Sequence, residues 1–523
     1  MFDDLPSENP NGEPLPGDNS LGDNSLGADS PGAHRPGVNL LGAFVHQARS
    51  QPHATAVTAL RDGSVVSLTW QQLSGIVAVA AAHLDRLLGP AGQTQRRLVY
   101  PSHNGIADIV LALACPAANI VEFPIDHRLG DHTAAEIRDR SGGIWLGPEQ
   151  QQQLVSAAHD ESSQRNDATA LTSSLAATAD KINAIDPALV LWTSGTTGQP
   201  KGVMLSHANL VGNAAAKLAA VPQRRDDIRL TTLPMCHAYA RTCDLGTWLL
   251  SGCGLAIASG FDGWQALGPI VRPTLANTVP SLSERLLASP CETMGIDRLR
   301  LLGCGGAAMR ESDFVRWNRR GATVIQGYGL TESGPVICSA TPANATPGLV
   351  GNLVQGWQSD VRDGRLYVRG PHTMIGYLDD PEATARRIDD DGWLDTGDVV
   401  EFEQAMQQFR ILGRADDTIV LDNGHKVHPS EAERLVSLIP GVRHAMLVGN
   451  GRTTILWIDS MAGAEQSRIE ERAEAMFGNH PPWKRPREIK FFDSPLSLEN
   501  GELTQKGAIR REVVAQRFSA RST

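Results

Sequence analysis

The chain has 523 residues and a formal net charge of −11, with acidic and basic side chains interspersed. At about 100–200 residues per domain this length predicts two to four structural units and excludes a small single module. The acidic balance, without basic blocks, argues against nucleic acid or an anionic membrane as the main partner.

Seven cysteines, Cys115, Cys236, Cys243, Cys253, Cys291, Cys304 and Cys338, are odd in number and contain no C-x-x-C pair. Their scatter predicts reduced thiols, not a disulfide frame or a zinc site. No cleavable basic-apolar signal opens the chain, and no run of about 18 uncharged apolar residues occurs. These features predict a soluble, cytoplasmic protein.

Residues 1–36 are rich in Gly, Pro, Asn, Asp and Ser and repeat G-D-N-S-L. Such a segment buries too little apolar surface to offset its ordering entropy and is expected to be a disordered tail. Order is expected from Asn39, with Leu40, Leu41, Phe44 and Val45 on one helical face. Strand-like runs at Arg97 to Pro101, Ile120 to Pro124 and Gly143 to Leu146 then alternate with a helix-like run at Ile106 to Ala118. That alternation predicts an α/β layer with a mostly parallel sheet. Residues 147–185 show little apolar period and are expected to be a surface excursion.

Leu189 to Trp192 reads as a buried strand that feeds T-S-G-T-T-G-Q-P-K-G, Thr193 to Gly202, ahead of a helical segment from Ser206 to Ala220. Glycines allow close approach to a polyphosphate, hydroxyls and amides donate to it, and Lys201 supplies a mobile point charge. Pro200 stands where a Walker loop needs its second glycine, so this is a different phosphate loop. It closely resembles the signature of the adenylate-forming superfamily, which includes acyl-CoA synthetases, luciferases and peptide-synthetase adenylation domains.

Further segments follow in the family's order. L-G-C-G-G-A-A-M at Leu302 to Met309 resembles the strand and glycine turn behind adenine, and Q-G-Y-G-L-T-E-S-G-P at Gln326 to Pro335 is similar to the most diagnostic segment. Gly364 to Asp398 carries Gly376-Tyr377 and D-G-W-L-D-T-G-D, and I-L-G-R-A-D-D follows at Ile411 to Asp417. The resemblance spans about residues 40 to 515. It implies an α/β fold with a large N-terminal domain over 37–415, built of layered α/β sheets and a β-barrel-like part. A small mobile α+β domain over 416–523 is expected to follow, hinged near Asp416.

The resemblance also assigns roles. Thr193, Ser194, Gly195, Thr196, Thr197, Gly198 and Lys201 would hold the ATP phosphates, and Gly305, Gly306 and Gly329 would border the nucleotide. Tyr328 would stack on adenine, Thr331 would meet the phosphates, and Glu332 would act catalytically by holding Mg²⁺, a hard carboxylate for a hard cation. Asp398 would accept both ribose hydroxyls and Arg414 would contact ribose or phosphate. His237 would lie beside the acyl and coenzyme A pockets.

H-A-Y-A-R-T-C-D-L, from His237, looks most like long-chain fatty acyl-CoA synthetases, in which an arginine-threonine pair follows the histidine. Ala238 replaces the aspartate that pairs a substrate ammonium in amino-acid-activating relatives, which disfavours amino acids. The implied reaction joins a fatty or other hydrophobic acid to AMP from ATP and then to coenzyme A. Loading of an acyl carrier protein, or a degenerate nucleotide- or acyl-binding protein, are the alternatives. The family's adenylation lysine stands three residues before an arginine, whereas E-L-T-Q-K-G-A-I-R-R-E leaves Lys506 displaced by one or two positions. Lys506 is expected to serve as that catalytic lysine in a shifted turn, with impaired adenylation or use of preformed adenylates as the other outcomes.

Overall fold

The computed structural model describes residues 39–61, 63–89, 96–165, 167–194, 199–497, 499–503 and 509–519. The expected disordered tail and Lys506 therefore lie outside the described residues. The first helix, Leu40–Ser50, begins where the sequence predicts: the Asn39 side chain caps it by accepting from the Gly42 N–H at 2.8 Å. Its apolar face, Leu41, Phe44 and Val45, is buried.

Two large sheets follow. The six-stranded one runs in the order Gly376–Tyr377, Pro200–Ser206, Pro187–Ser194, Val121–Asp126, Arg97–Ser102 and Ile144–Trp145. Its three earliest strands in the chain and Pro187–Ser194 are parallel, as the strand-helix alternation predicts, and Pro200–Ser206 turns back antiparallel across the phosphate loop. The nine-stranded sheet has Leu301–Cys304 and Thr323–Gly329 side by side, with Val336–Ser339 antiparallel to the latter. Leu98, Leu189 and Val203 of one sheet share an apolar core with Val57, Leu255 and Ile257 of the other. Apart from Asp108, which accepts from the Gly105 N–H at its start, helix Ile106–Ala117 is apolar on every side and runs within that core.

Residues 147–185 differ from the expectation. They form the helices Pro148–Gln164 and Ala168–Ala179, both packed on helix Trp70–Leu88. Alanine and glutamine favour helix strongly yet mark no apolar stripe. Ala158, Leu175 and Ala179 are buried in the same apolar core, while the buried Gln151 amide donates to the carbonyls of Pro101 and Leu146 at 3.0 and 3.2 Å.

The part expected to be barrel-like is a four-stranded antiparallel sheet, Gln358–Arg362, Arg365–Arg369, Leu394–Glu403 and Gln408–Arg414. Beyond it, the hairpin Val442–Asn450 and Thr453–Ser460 carries Glu488–Phe491 parallel to its second strand. Helices Pro429–Val436 and Gln466–Phe477 complete this core through Val436, Ala473 and Phe477. Among the described residues no helix is long and apolar enough to cross a membrane. All seven cysteines are free, and burial pushes the thiols of Cys115, Cys236, Cys243, Cys253, Cys304 and Cys338 up, which keeps them protonated and inert.

Candidate active site

The antiparallel pair Pro187–Ser194 and Pro200–Ser206 sets Thr193 opposite Lys201 at the mouth of the phosphate loop. Gly195, Thr196, Thr197 and Gly198 lie outside the described residues, as does the Ser194 side chain. Thr193 donates to the Lys201 carbonyl at 3.4 Å, which closes the hairpin at the base of the loop. Helix His207–Ala220 leaves the second strand through a Ser206–Asn209 capping box.

Tyr377 joins Lys201 and Glu332, which the sequence separates by more than a hundred positions. Strand Gly376–Tyr377 pairs with Met204 and Val203, so the Lys201 ammonium lies 5.1 Å from the Tyr377 ring centre. The Tyr377 hydroxyl donates to Glu332 Oε1 at 2.7 Å. Burial pushes the phenol up, and the neighbouring Glu332 carboxylate adds to this, so Tyr377 stays a donor. Sequence reasoning left Tyr377 as part of a pattern; its hydroxyl, not its glycine neighbour, is what touches the site.

Glu332 is buried in the short turn Thr331–Ser333, where its carbonyl also accepts from the Met374 N–H at 2.9 Å. Among the described residues its carboxylate forms no ion pair. A buried, charge-uncompensated carboxylate beside a phosphate loop fits a hard divalent cation such as Mg²⁺. Thr331 opens the same turn, partly exposed, and Thr242 braces it by donating to the Gly334 carbonyl at 2.8 Å.

Tyr328, Asp398 and Arg414 meet in one network. The Tyr328 hydroxyl donates to Asp398 Oδ2 at 2.6 Å, and Arg414 Nη1 donates to Oδ1 at 3.2 Å. Burial raises the Asp398 carboxyl, against the pull of Arg414 and the Tyr328 hydroxyl. Both oxygens of the expected ribose acceptor thus already hold one bond each and keep a second lone pair for a ligand. The same tether sets the plane of the Tyr328 ring. Gly329 faces inward instead: a side chain there would overlap the Pro335 carbonyl. Gly306, at φ +80°, makes the turn that follows strand Leu301–Cys304.

His237 caps a helical stretch, Ala238 to Ser251, whose middle from Arg241 to Gly246 is wound as a π-helix. It is partly exposed, with Nε2 3.5 Å from Asp126 Oδ2. Asp126 ends strand Val121–Asp126 and is gripped by Arg128, Nε to Oδ1 at 2.8 Å and Nη2 to Oδ2 at 2.6 Å. Burial opposes ionisation of Asp126, but the bonds from Arg128 and His237 outweigh it and hold the carboxyl well below the usual range. Asp126, Cys236 and His237 are close enough to share a cation, yet Arg128 already neutralises the carboxylate. Asp126 is a neighbour of His237 that the sequence reading missed; the available signal was an acid at the carboxyl end of a parallel strand.

The arginine-threonine pair after His237 has a different meaning from the one expected. Arg241 is buried in an ion pair with Glu122, Nη1 to Oε1 at 2.9 Å, and the Tyr100 hydroxyl shares that carboxylate. Thr242 braces the Glu332 turn. Both residues hold elements together, so neither reports the length of an acyl chain.

Tyr239, between His237 and Arg241, faces the glycine turn: a Cβ at Gly305 would lie 3.1 Å from its ring, and one at Gly303 3.0 Å from its hydroxyl. The flanks of Lys506, Leu503 and Ile509, form an antiparallel bridge, and Arg511 pairs with Glu433. Asp416 lies two residues beyond the last strand of the four-stranded sheet, Gln408–Arg414.

Two family descriptions match the chain: AMP-binding enzyme over residues 44–378, and AMP-binding enzyme C-terminal domain over 416–477. It is 30% identical to a feruloyl-CoA synthase of Amycolatopsis sp over 492 residues, 89% of this chain and 97% of that protein. It is 33% identical to 4-coumarate–CoA ligase 2 of Oryza sativa subsp. japonica over 363 residues, 63% of this chain and 62% of that one. The fold is like that of the anthranilate CoA ligase AuaEII in complex with anthranoyl-AMP, at TM-score 0.76 and 16% identity, over 94% of this chain and 98% of that one.

Proposed function

We propose that this chain, which belongs to the AMP-binding enzyme family and is an AMP-forming acid–thiol ligase, activates an aromatic carboxylic acid and passes it to coenzyme A. The observation that carries the choice of acid is the Tyr239 ring laid against Gly303 and Gly305, two residues beyond His237. A flat wall of this kind suits a planar ring better than a flexible aliphatic chain. The names of the relatives, a feruloyl-CoA synthase and a 4-coumarate–CoA ligase, point the same way. This reading narrows the expected fatty or other hydrophobic acid to an aromatic one and replaces the long-chain type suggested by Arg241 and Thr242.

In the first half-reaction the acid's carboxylate attacks the α-phosphorus of ATP and pyrophosphate leaves; in the second the coenzyme A thiolate displaces AMP. Such chemistry needs charge neutralisation and in-line positioning more than covalent help. Lys201 brings positive charge to the polyphosphate, and the Tyr377 hydroxyl fixes the Glu332 carboxylate. Glu332 would hold a magnesium ion, which when bound neutralises phosphate charge. Tyr328, Asp398 and Arg414 form the nucleoside end, and Asp126 orients His237.

Acid-dependent ATP–pyrophosphate exchange across aromatic and aliphatic acids tests the reading, followed by coenzyme A dependence of product formation. Exchange with aromatic acids and thioester with coenzyme A are expected. A preference for aliphatic acids sinks the aromatic assignment, and transfer only to a phosphopantetheinyl protein replaces coenzyme A as acceptor.

A further inference from the structure

Helix Pro381–Arg387 ends on an arginine that no sequence motif singles out. The Arg387 side chain is half-buried, and its Nη2 donates to the Thr396 carbonyl at 3.1 Å. Arg414 Nη1 donates to the same carbonyl at 3.0 Å. Two guanidinium groups therefore share one neutral oxygen, and like charges held this close repel unless an anion lies beside them. Arg414 has such an anion in Asp398, at 3.2 Å. Arg387 forms no ion pair among the described residues, and its buried Nε has no hydrogen-bond partner among them. A partly buried guanidinium with free donors is a fork suited to two oxygens of one phosphate.

Arg387 adjoins both ends of the candidate site. Burial and the Glu332 carboxylate push the Tyr377 phenol up, and the neighbouring Arg387 opposes them. Burial likewise raises the Asp398 carboxyl, and Arg387 adds to the pull of Arg414 against it. Arg387 thus lies beside the hydroxyl that fixes Glu332 and within electrostatic reach of the carboxylate that Tyr328 and Arg414 hold. In ATP the α-phosphate is the link between the ribose and the outer phosphates. With Asp398 at the ribose and Glu332 at the phosphates, the place between them belongs to that link.

We propose that Arg387 binds the α-phosphate of ATP and, once pyrophosphate has left, the phosphate of the acyl-adenylate and of AMP. The proposal rests on the assignment of Glu332 to the phosphates and Asp398 to the ribose made above. The acid's oxygen forms the new bond to phosphorus, and the oxygen bridging to pyrophosphate leaves with its electron pair. Arg387 moves no proton; it donates hydrogen bonds to the non-bridging oxygens, where negative charge gathers as the bond changes hands. It is carried by a helix that precedes Asp416 in the chain, so its contact with the phosphate does not depend on a group reaching in from beyond Asp416.

Binding of AMP and of adenosine to the full chain, measured by titration calorimetry, isolates the phosphate. Arg387→Met is expected to weaken AMP roughly 10- to 100-fold, the range of a hydrogen bond between charged groups, and to leave adenosine unchanged, with Arg387→Lys recovering part of the loss. Should Arg387→Met not fold, Arg387→Gln, which keeps a donor for the Thr396 carbonyl, is read in the same way. AMP and adenosine weakened alike, or neither weakened, would make Arg387 a brace for that carbonyl and overturns this inference alone. Asp398→Asn tests the ribose assignment separately: it is expected to weaken AMP and adenosine equally. No weakening of either removes Asp398 from the ribose and overturns that assignment and this inference together.

Discussion

At the residue scale, single side chains do work that their neighbours in sequence do not announce. Tyr377 links Lys201 to Glu332, so Tyr377→Phe, which keeps the ring and removes the donor, is expected to lower pyrophosphate exchange roughly 10- to 100-fold, the range of a hydrogen bond to a charged group. A smaller loss, within twofold, would confine Tyr377 to packing. His207 makes a second prediction. It is buried, and burial lowers it from 6.5 to about 4. Between those values the unfolded chain binds a proton that the folded chain refuses, so this contribution is complete above pH 6.5 and is lost as pH falls toward 4, on the order of 3 kcal/mol in total. Urea midpoints for the parent and for His207→Gln across that window check it: the variant is expected to show a shallower slope. Thr193, Lys201, Glu332, Tyr328 and Asp398 were named by the family resemblance of their motifs. Tyr377 and Asp126 were not singled out, because what they touch, Lys201 and Glu332 in one case and His237 in the other, lies far away in the chain.

At the element scale, the π-wound stretch Arg241–Gly246 is the clearest case of structure overriding motif. The Arg241 side chain carries this turn onto the strand bearing Glu122, and Tyr100 completes the pair from the next strand. Removing one partner leaves the other charge buried, so Arg241→Met is expected to destabilise by about 3–5 kcal/mol, while pairing it with Glu122→Gln recovers much of the loss. Denaturant midpoints of the two single variants and the double variant measure the coupling. Equal destabilisation in the single and double variants would show that packing, not charge, holds the turn. Helices Pro148–Gln164 and Ala168–Ala179 make the converse point. Their propensity was present in the sequence, but alanine buries on a neighbouring helix without leaving an apolar stripe to read.

At the scale of the whole molecule, the proposed arrangement needs a group from beyond Asp416 to reach the phosphate site for one half-reaction and leave for the other. Lys506 is the proposed group, and pyrophosphate exchange in Lys506→Ala decides its role: a loss of at least a hundredfold is expected, with coenzyme A transfer from a supplied acyl-adenylate retained. An unchanged exchange rate would remove Lys506 from the mechanism. By itself the sequence determined the family resemblance, the order of its motifs and the α/β class, because glycine turns, apolar strands and capping residues act locally and keep their spacing in any context. Only the tertiary structure decided how those motifs are joined, and what the segment after His237 means. Ion pairs such as Arg241 with Glu122 exist only once residues more than a hundred positions apart are brought together out of water.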